Sequence, residues 1–386
     1  MTIADVRPLS RGLSLSAVVV LLPSALALIG LALRFLAFTT VYPGAGLGDF
    51  AQGLCRWDCA WYERIATSGY DPFPVPVMIA AGNWAFFPLY PMLVGQVVAL
   101  TGLPVMTIAT ALSVLISAAA VIAAWPLLGG SLRGYALYAA FVLAGPFSVY
   151  FTTFYTEAPF LLLTTLGILA LRRGRYLSAG VLGALMSATR IVGVFFVFAI
   201  AVQAVVDHRR AGGSLAGFIT SIWKRPDLLL ALFVAPLGLF VYMAFLNAHV
   251  GDALAFSHVQ RAWARVVGDP VLFLIQALGE APPEGWLPSV RQQLALASLA
   301  GLALCAVLAW RRRFAEALFC ALALIVPLAA GVSSMLRFTV TLAPLPALVC
   351  AFLGRWWTTT AVTLCLFLAT DYLFTIGWLR EYLTLV

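Results

Sequence analysis

RWDCAWYERIATSGYD, residues 56–71, is a polar island set just after the first long apolar segment of the chain. Around it lies a protein of 386 residues in which 63% are hydrophobic and only 10% are charged. The mean hydropathy is +1.01. No soluble fold has enough interior for so many apolar side chains, so the chain reads as an all-α polytopic membrane protein. An ionisable group such as Asp58 must then be solvated, paired or functional. The first apolar stretch, 13–37, is longer than the apolar core of a secretory signal and lacks a small-x-small cleavage site. It reads as a retained span.

Further apolar segments follow at 104–124, 134–150, 157–171, 177–188, 192–206, 228–247, 293–310, 314–330, 338–353 and 358–376. The run 176–206 is too long for one untilted span and contains Arg190. A charge in mid-bilayer is costly, which predicts two short helices meeting at Arg190 near one surface. The segment 86–100 is read as not crossing. The basic clusters Arg7/Arg11, Arg133, Arg172/Arg173/Arg175, Arg209/Arg210/Lys224/Arg225, Arg311/Arg312/Arg313 and Arg355 then share one side, the cytoplasmic excess expected of membrane proteins. This gives about eleven spans, with the N-terminus inside and the C-terminus outside. The two large outer loops are 37–103, with juxtamembrane helices, and 248–292, within a single transmembrane domain over 1–386.

Net charge +8 raises a nucleic-acid partner, but the basic residues form short clusters between apolar runs rather than a stripe with interleaved aromatics. No nucleic-acid partner is expected. Four of the six cysteines, Cys305, Cys320, Cys350 and Cys365, lie in apolar runs and read as small core residues. Cys55 and Cys59 flank the island; on one helix they would share a face, which argues against a disulfide and for ordinary packing. With three histidines and no His–carboxylate cluster, no metal site is expected.

The topology collects six separate regions on the outer face: the island, FFPLYP at 86–91, TFYTE at 153–157, Arg190, the loop 249–291, and SSMLRF at 333–338. In a short helix Asp58, Trp61 and Tyr62 share a face at i, i+3 and i+4. Trp57, Trp61 and Tyr62 suit the headgroup region and can stack on sugar faces. Asp58 could deprotonate a sugar hydroxyl as it attacks an anomeric carbon; equally, it could pair with Arg56 or Arg64 in an interfacial helix. Asp49 is a second outward carboxylate, able to hold an acceptor hydroxyl or to stand as a solvated loop residue. Glu157 opens an apolar helix, where unpaired N–H groups favour a carboxylate; substrate contact is its other reading. Arg190 and Arg337 are candidates to hold a lipid phosphate through parallel hydrogen bonds. For Arg337, snorkelling to headgroups is the alternative. His258 could bind a phosphate or pack at an interface, and Gln260 beside it is a candidate for sugar or acceptor contact.

Taken together, WDCAWYERIATSGY at 57–70, AFFPLYP at 85–91, PFSVYFTTFYTEAPF at 146–160, SATRIVG at 187–193, FSHVQRAW at 256–263 and SMLRF at 334–338 resemble the PIG-V family of membrane mannosyltransferases, in a shorter, bacterial-type form. The resemblance runs through most of the chain and is carried mainly by the first two motifs. It implies the GT-C architecture, with a catalytic carboxylate in the first outer loop at Asp58. It also implies a family arginine at Arg337, although Leu336 stands where the family more often has proline. The implied reaction moves mannose from a polyprenyl-phosphate-sugar to a lipid or glycan hydroxyl with inversion, by a monomer in a bacterial inner membrane whose site faces outward. No cofactor is implied. A transporter or flippase of a lipid-linked or anionic solute is the competing reading, because Arg190 interrupts an apolar run. A protein that holds a lipid-linked precursor without transforming it is a third.

Overall fold

The computed structural model describes residues 15–73, 81–280 and 288–381. Helices and turns make up the fold, with no strand among the described residues. Among the described residues six helices are long and apolar enough to cross a membrane: Leu15–Val41, Val105–Leu128, Ile191–Arg210, Pro226–Val250, Val290–Trp310 and Trp357–Leu379. At 1.5 Å per residue, the 27 residues of the first reach ~40 Å, more than a hydrocarbon core requires. The protein is therefore a multi-pass membrane protein. Helices Met335–Thr341 and Pro344–Leu353 form a pair bent by 71°, and Leu89–Thr101, Leu132–Leu143, Tyr176–Thr189 and Phe314–Leu328 are shorter apolar helices. Several stretches that the hydropathy pattern reads as spans thus fold as short or broken helices. Arg7 and Arg11 lie outside the described residues.

The helix Tyr176–Thr189 stops at Arg190, whose backbone is extended (φ −153°, ψ 144°), and a 3-10 turn Ile191–Phe195 starts the next span. Gly193 makes this break possible, because a Cβ there would lie 2.2 Å from the carbonyl carbon of Met186. The chain folds back on its own helix and leaves Arg190 at the break.

The first and last long helices are joined by a buried charge pair. Arg34 donates through Nη1 to both oxygens of Asp371 at 3.1 Å and through Nη2 to the Leu143 carbonyl at 3.1 Å. Ser148 Oγ hydrogen-bonds Asp371 Oδ1 at 2.7 Å and also lies against Arg34. Both charged side chains are only 1% exposed. Gly30 lets the Leu143 carbonyl approach, since a Cβ there would sit 1.9 Å from that oxygen. A second pair, Arg172 and Glu316, forms a two-pronged contact at 2.8 and 2.9 Å at the far end of the bundle.

One sequence expectation is overturned. Cys55 and Cys59 form a disulfide, with Cα atoms 5.4 Å apart. The island is not one helix: Leu47–Gly53 ends before Cys55, and the next helix, Cys59–Ser68, begins only at the second cysteine. Between them Trp57 adopts φ 47°, and that left-handed turn brings the two thiols together.

Candidate active site

The break at Arg190, the bent helix at Arg337, the island turn at Asp58 and the turn before Glu157 converge on one ion-pair chain. Arg337 donates through Nη1 to Asp58 Oδ2 and through Nε to Glu157 Oε1, each at 2.6 Å. Arg190 donates through Nη2 to the same Glu157 oxygen at 2.8 Å and through Nη1 to Thr341 Oγ1 at 3.3 Å. Glu157 is wholly buried and Arg337 is 3% exposed, whereas the Asp58 side chain keeps 29% exposure. The chain thus has a buried end at Glu157 and an open end at Asp58. Below it, the Arg337 guanidinium stands 4.3 Å from the centre of the Tyr155 ring, and Arg190 stands 5.0 Å from that of Phe338. Aromatic faces of this kind favour the charged form of an arginine removed from water.

The open end faces a cleft lined by Asp58, Tyr62, Phe86, Arg190, Gln260, Trp263, Arg265, Ser334 and Arg337, among others. Arg265 donates to Ser334 Oγ at 3.1 Å and more weakly to Gln260 Oε1 at 3.5 Å, and has no carboxylate partner among the described residues. Burial pushes its guanidinium below the ordinary arginine value; nearby Asp58 opposes this and Arg337 reinforces it. Tyr62 is pushed up to about 12, first by burial and then by the charges of Asp58 and Glu157, so it stays a neutral phenol. Three arginines face two carboxylates here, leaving one positive charge in excess.

Arg265 also lines a second, mostly apolar cleft, with Phe256, Val267, Val326, Pro327 and Ala330. The two clefts share Ala85, Phe87, Ile191, Gln260, Arg265 and Phe338. Arg265 therefore stands at the seam between a charged cleft and a greasy one.

Five non-glycine residues have positive φ among the described residues; three of them, Trp57 (47°), Ala264 (54°) and Ser334 (63°), lie next to Asp58, next to Arg265 and three residues before Arg337. Backbone held in sparsely populated conformations concentrates where side chains must be aimed.

The sequence candidates divide into three groups. Asp58, Tyr62, Arg190, Gln260 and Arg337 meet at the cleft. Glu157, Trp57 and Trp61 stand behind it: Glu157 orders two arginines, Trp57 packs edge-on against Trp378 at 4.5 Å, and Trp61 stacks on Phe86 at 5.8 Å. Asp49 and His258 are elsewhere. Asp49 is exposed and accepts the Gly46 N–H at 3.0 Å, while His258 is 57% exposed and pairs with Asp252 at 2.7 Å. Each is taken by a near neighbour in sequence, which a local polar residue finds before it finds a distant site. Asp58 itself pairs with neither Arg56 nor Arg64, which bind Glu381 and Asp71. Arg265 was absent from the sequence candidates; its signal is a lone charge two residues beyond the FSHVQRAW run. Among the described residues no group of three His, Cys, Asp or Glu could hold a metal ion.

Among solved structures, the chain is similar to ArnT from Cupriavidus metallidurans bound to undecaprenyl phosphate, with a TM-score of 0.52 and 13% identity over 90% of this chain. The fold is GT-C. Two structures of the Archaeoglobus fulgidus oligosaccharyltransferase are also similar: the apo form, and AglB in complex with an inhibitory peptide and a dolichol-phosphate. They show 14% identity and TM-scores of 0.46 and 0.45 over 94% and 93% of this chain. The chain spans 63% of the ArnT chain and 56% and 55% of the two oligosaccharyltransferase chains. No family model and no curated protein matches the sequence. The ion-pair chain and both clefts lie where short helices of the 37–103 segment meet the broken spans.

Proposed function

We propose that this protein is a PIG-V-like inverting glycosyltransferase that moves a hexose, mannose, from a polyprenyl-phosphate-sugar to a hydroxyl of a lipid or glycan acceptor. The observation that carries this reading is Arg265 at the seam of the two clefts, with Asp58 across the polar one. An amphiphile with one anionic phosphate and a long apolar chain fits that division, and the single excess positive charge matches a phosphodiester. ArnT, solved with undecaprenyl phosphate, shares the fold and supports the same class of donor.

In this mechanism the acceptor oxygen attacks C1 of the sugar while Asp58 takes the hydroxyl proton, and the bond from C1 to the phosphate oxygen breaks. Polyprenyl phosphate leaves as an anion that the arginines stabilise. Attack from the face opposite the leaving group inverts C1, so a β-linked donor gives an α-linked product. At rest Arg337 occupies Asp58 at 2.6 Å. A donor phosphate competes for that guanidinium and frees the carboxylate for the acceptor. Glu157 holds Arg190 and Arg337 in place from beneath.

The disulfide beside Asp58 supports an outward orientation, because such bonds persist in oxidising compartments. That orientation is the periplasmic or external face of a bacterial inner membrane, with the protein acting as a monomer. A single leaving phosphate facing three arginines needs no divalent metal.

Purified protein in liposomes should convert polyprenyl-phosphate-[14C]mannose and membrane glycolipid into a labelled product resolved by mass spectrometry, with the same rate after EDTA. Movement of the donor across the bilayer without product would instead favour a flippase. Arg265→Ala should raise the donor KM about tenfold with a smaller effect on kcat, since a charge-assisted hydrogen bond is worth about 1.5–3 kcal/mol. Arg265→Lys should restore part of the loss. An unchanged donor KM in the alanine variant would remove the phosphate from the seam.

A further inference from the structure

The geometry points to the Cys55–Cys59 bond as a positioning element for Asp58. This inference rests on the assignment of Asp58 as the base. The crosslink encloses Arg56, Trp57 and Asp58, so the carboxylate directly precedes one anchored residue. Cys59 is wholly buried and opens the helix Cys59–Ser68. The Asp58 carbonyl accepts the N–H groups of Trp61 and Tyr62 at 3.1 and 3.3 Å, which ties its backbone to that helix.

The other side of the loop is fastened from distant elements. The Leu54 carbonyl accepts Trp378 Nε1 at 2.9 Å and Thr153 Oγ1 at 3.3 Å, and the Arg56 carbonyl accepts the Tyr155 hydroxyl at 3.0 Å. The disulfide closes the ring between these two anchored sides. Inside it Trp57 is held at φ 47°, a conformation that non-glycine residues adopt only when their surroundings impose it. That turn aims Asp58 across the cleft at Arg337. The bond closes a loop of only a few residues, so it constrains the unfolded chain less than a crosslink over a long loop does. Its consequence is local: it fixes where one carboxylate points. A displacement of about 1 Å at a reacting group can cost on the order of 10²-fold in rate.

The test is the double variant Cys55→Ala/Cys59→Ala in the full chain, reconstituted in lipid. Its kcat should fall by about tenfold or more, with donor KM unchanged or lowered, because the cleft arginines sit on other elements and Arg337 is freed for phosphate. Thermal stability should fall only modestly, as for a crosslink over a short loop. Cys55→Ser/Cys59→Ser should show the same deficit, assigning it to the bond rather than to side-chain volume. A second readout does not need transfer. Asp58 paired with Arg337 is shielded from a water-soluble carbodiimide, and peptide mass mapping should find it labelled faster in both variants. Unchanged kcat with unchanged labelling would overturn the inference. So would a joint collapse of kcat, donor KM and thermal stability, which would make the bond merely structural. Should the parent protein transfer no sugar from a polyprenyl-phosphate donor, the functional reading fails by itself. Labelling of Asp58 then decides the positioning role alone: equal rates overturn it, and faster labelling in the variants sustains it.

Discussion

Asp58→Asn in the reconstituted protein is expected to lower kcat by about 10³-fold while the donor still binds. General-base catalysis by a positioned carboxylate contributes about 10²–10⁴-fold, and an amide cannot accept the proton. The substitution is nearly isosteric, so the turn around Trp57 and the disulfide should survive it. Donor affinity is expected to hold or tighten, because Arg337 loses its 2.6 Å contact with a carboxylate and becomes free for phosphate. The comparison separates the base from a mere ion-pair partner: a structural salt bridge would weaken donor binding and stability with little specific effect on kcat. Single-turnover transfer of labelled sugar, with donor binding measured in parallel, checks it. Turnover near that of the parent would rule Asp58 out as the base.

The largest stability effect is expected far from the cleft. Asp371→Asn leaves Arg34 charged and buried, with only neutral acceptors: the amide oxygen at 371, the Ser148 hydroxyl and the Leu143 carbonyl. Breaking a buried pair by removing one charge costs about 3–5 kcal/mol, because the other charge is left without compensation. Both partners are 1% exposed, so water cannot screen the loss. The double variant Arg34→Met/Asp371→Leu should recover most of that stability, since apolar replacement of a whole buried pair is often neutral or favourable. Thermal unfolding in detergent, followed by loss of the monodisperse peak in size-exclusion chromatography, gives the ranking. A double variant no better than Asp371→Asn would show that the pair does more than close the bundle.

These two residues also show what could be read in advance. Arg34 and Asp371 are each visible as a charge inside an apolar run, and such a charge demands a partner. Which partner is a different matter, because 337 positions separate them. The break at Arg190 was legible for the same energetic reason, and the structure places it at the end of the helix Tyr176–Thr189. Asp58, Arg190 and Arg337 stood out as ionisable groups at the ends of apolar segments. Arg265 carried no comparable signal, since a charge in a long polar loop costs nothing in lipid. Only packing removes it from water and sets it at the seam of two clefts.

Asp49 and His258 mark the opposite case. Both had plausible chemistry, yet the nearest partner in the chain claimed each of them. The disulfide was misread because its geometry depends on one backbone angle, at Trp57. A helical spacing rule applies only where the helix exists.

The order of residues alone determined that this chain lives in a bilayer and is helical: backbone hydrogen bonds must be satisfied internally there, by helices or closed barrels, and long continuous apolar runs rather than alternating ones select helices. It also determined which few charges had to be explained. Only the tertiary structure decided which of them meet, and that Glu157 supports from beneath while Asp58 faces the open cleft. The reason is physical: solvation cost is a property of each residue where it stands, whereas a shared cleft depends on turns and crossings that bring distant segments within 3 Å of one another.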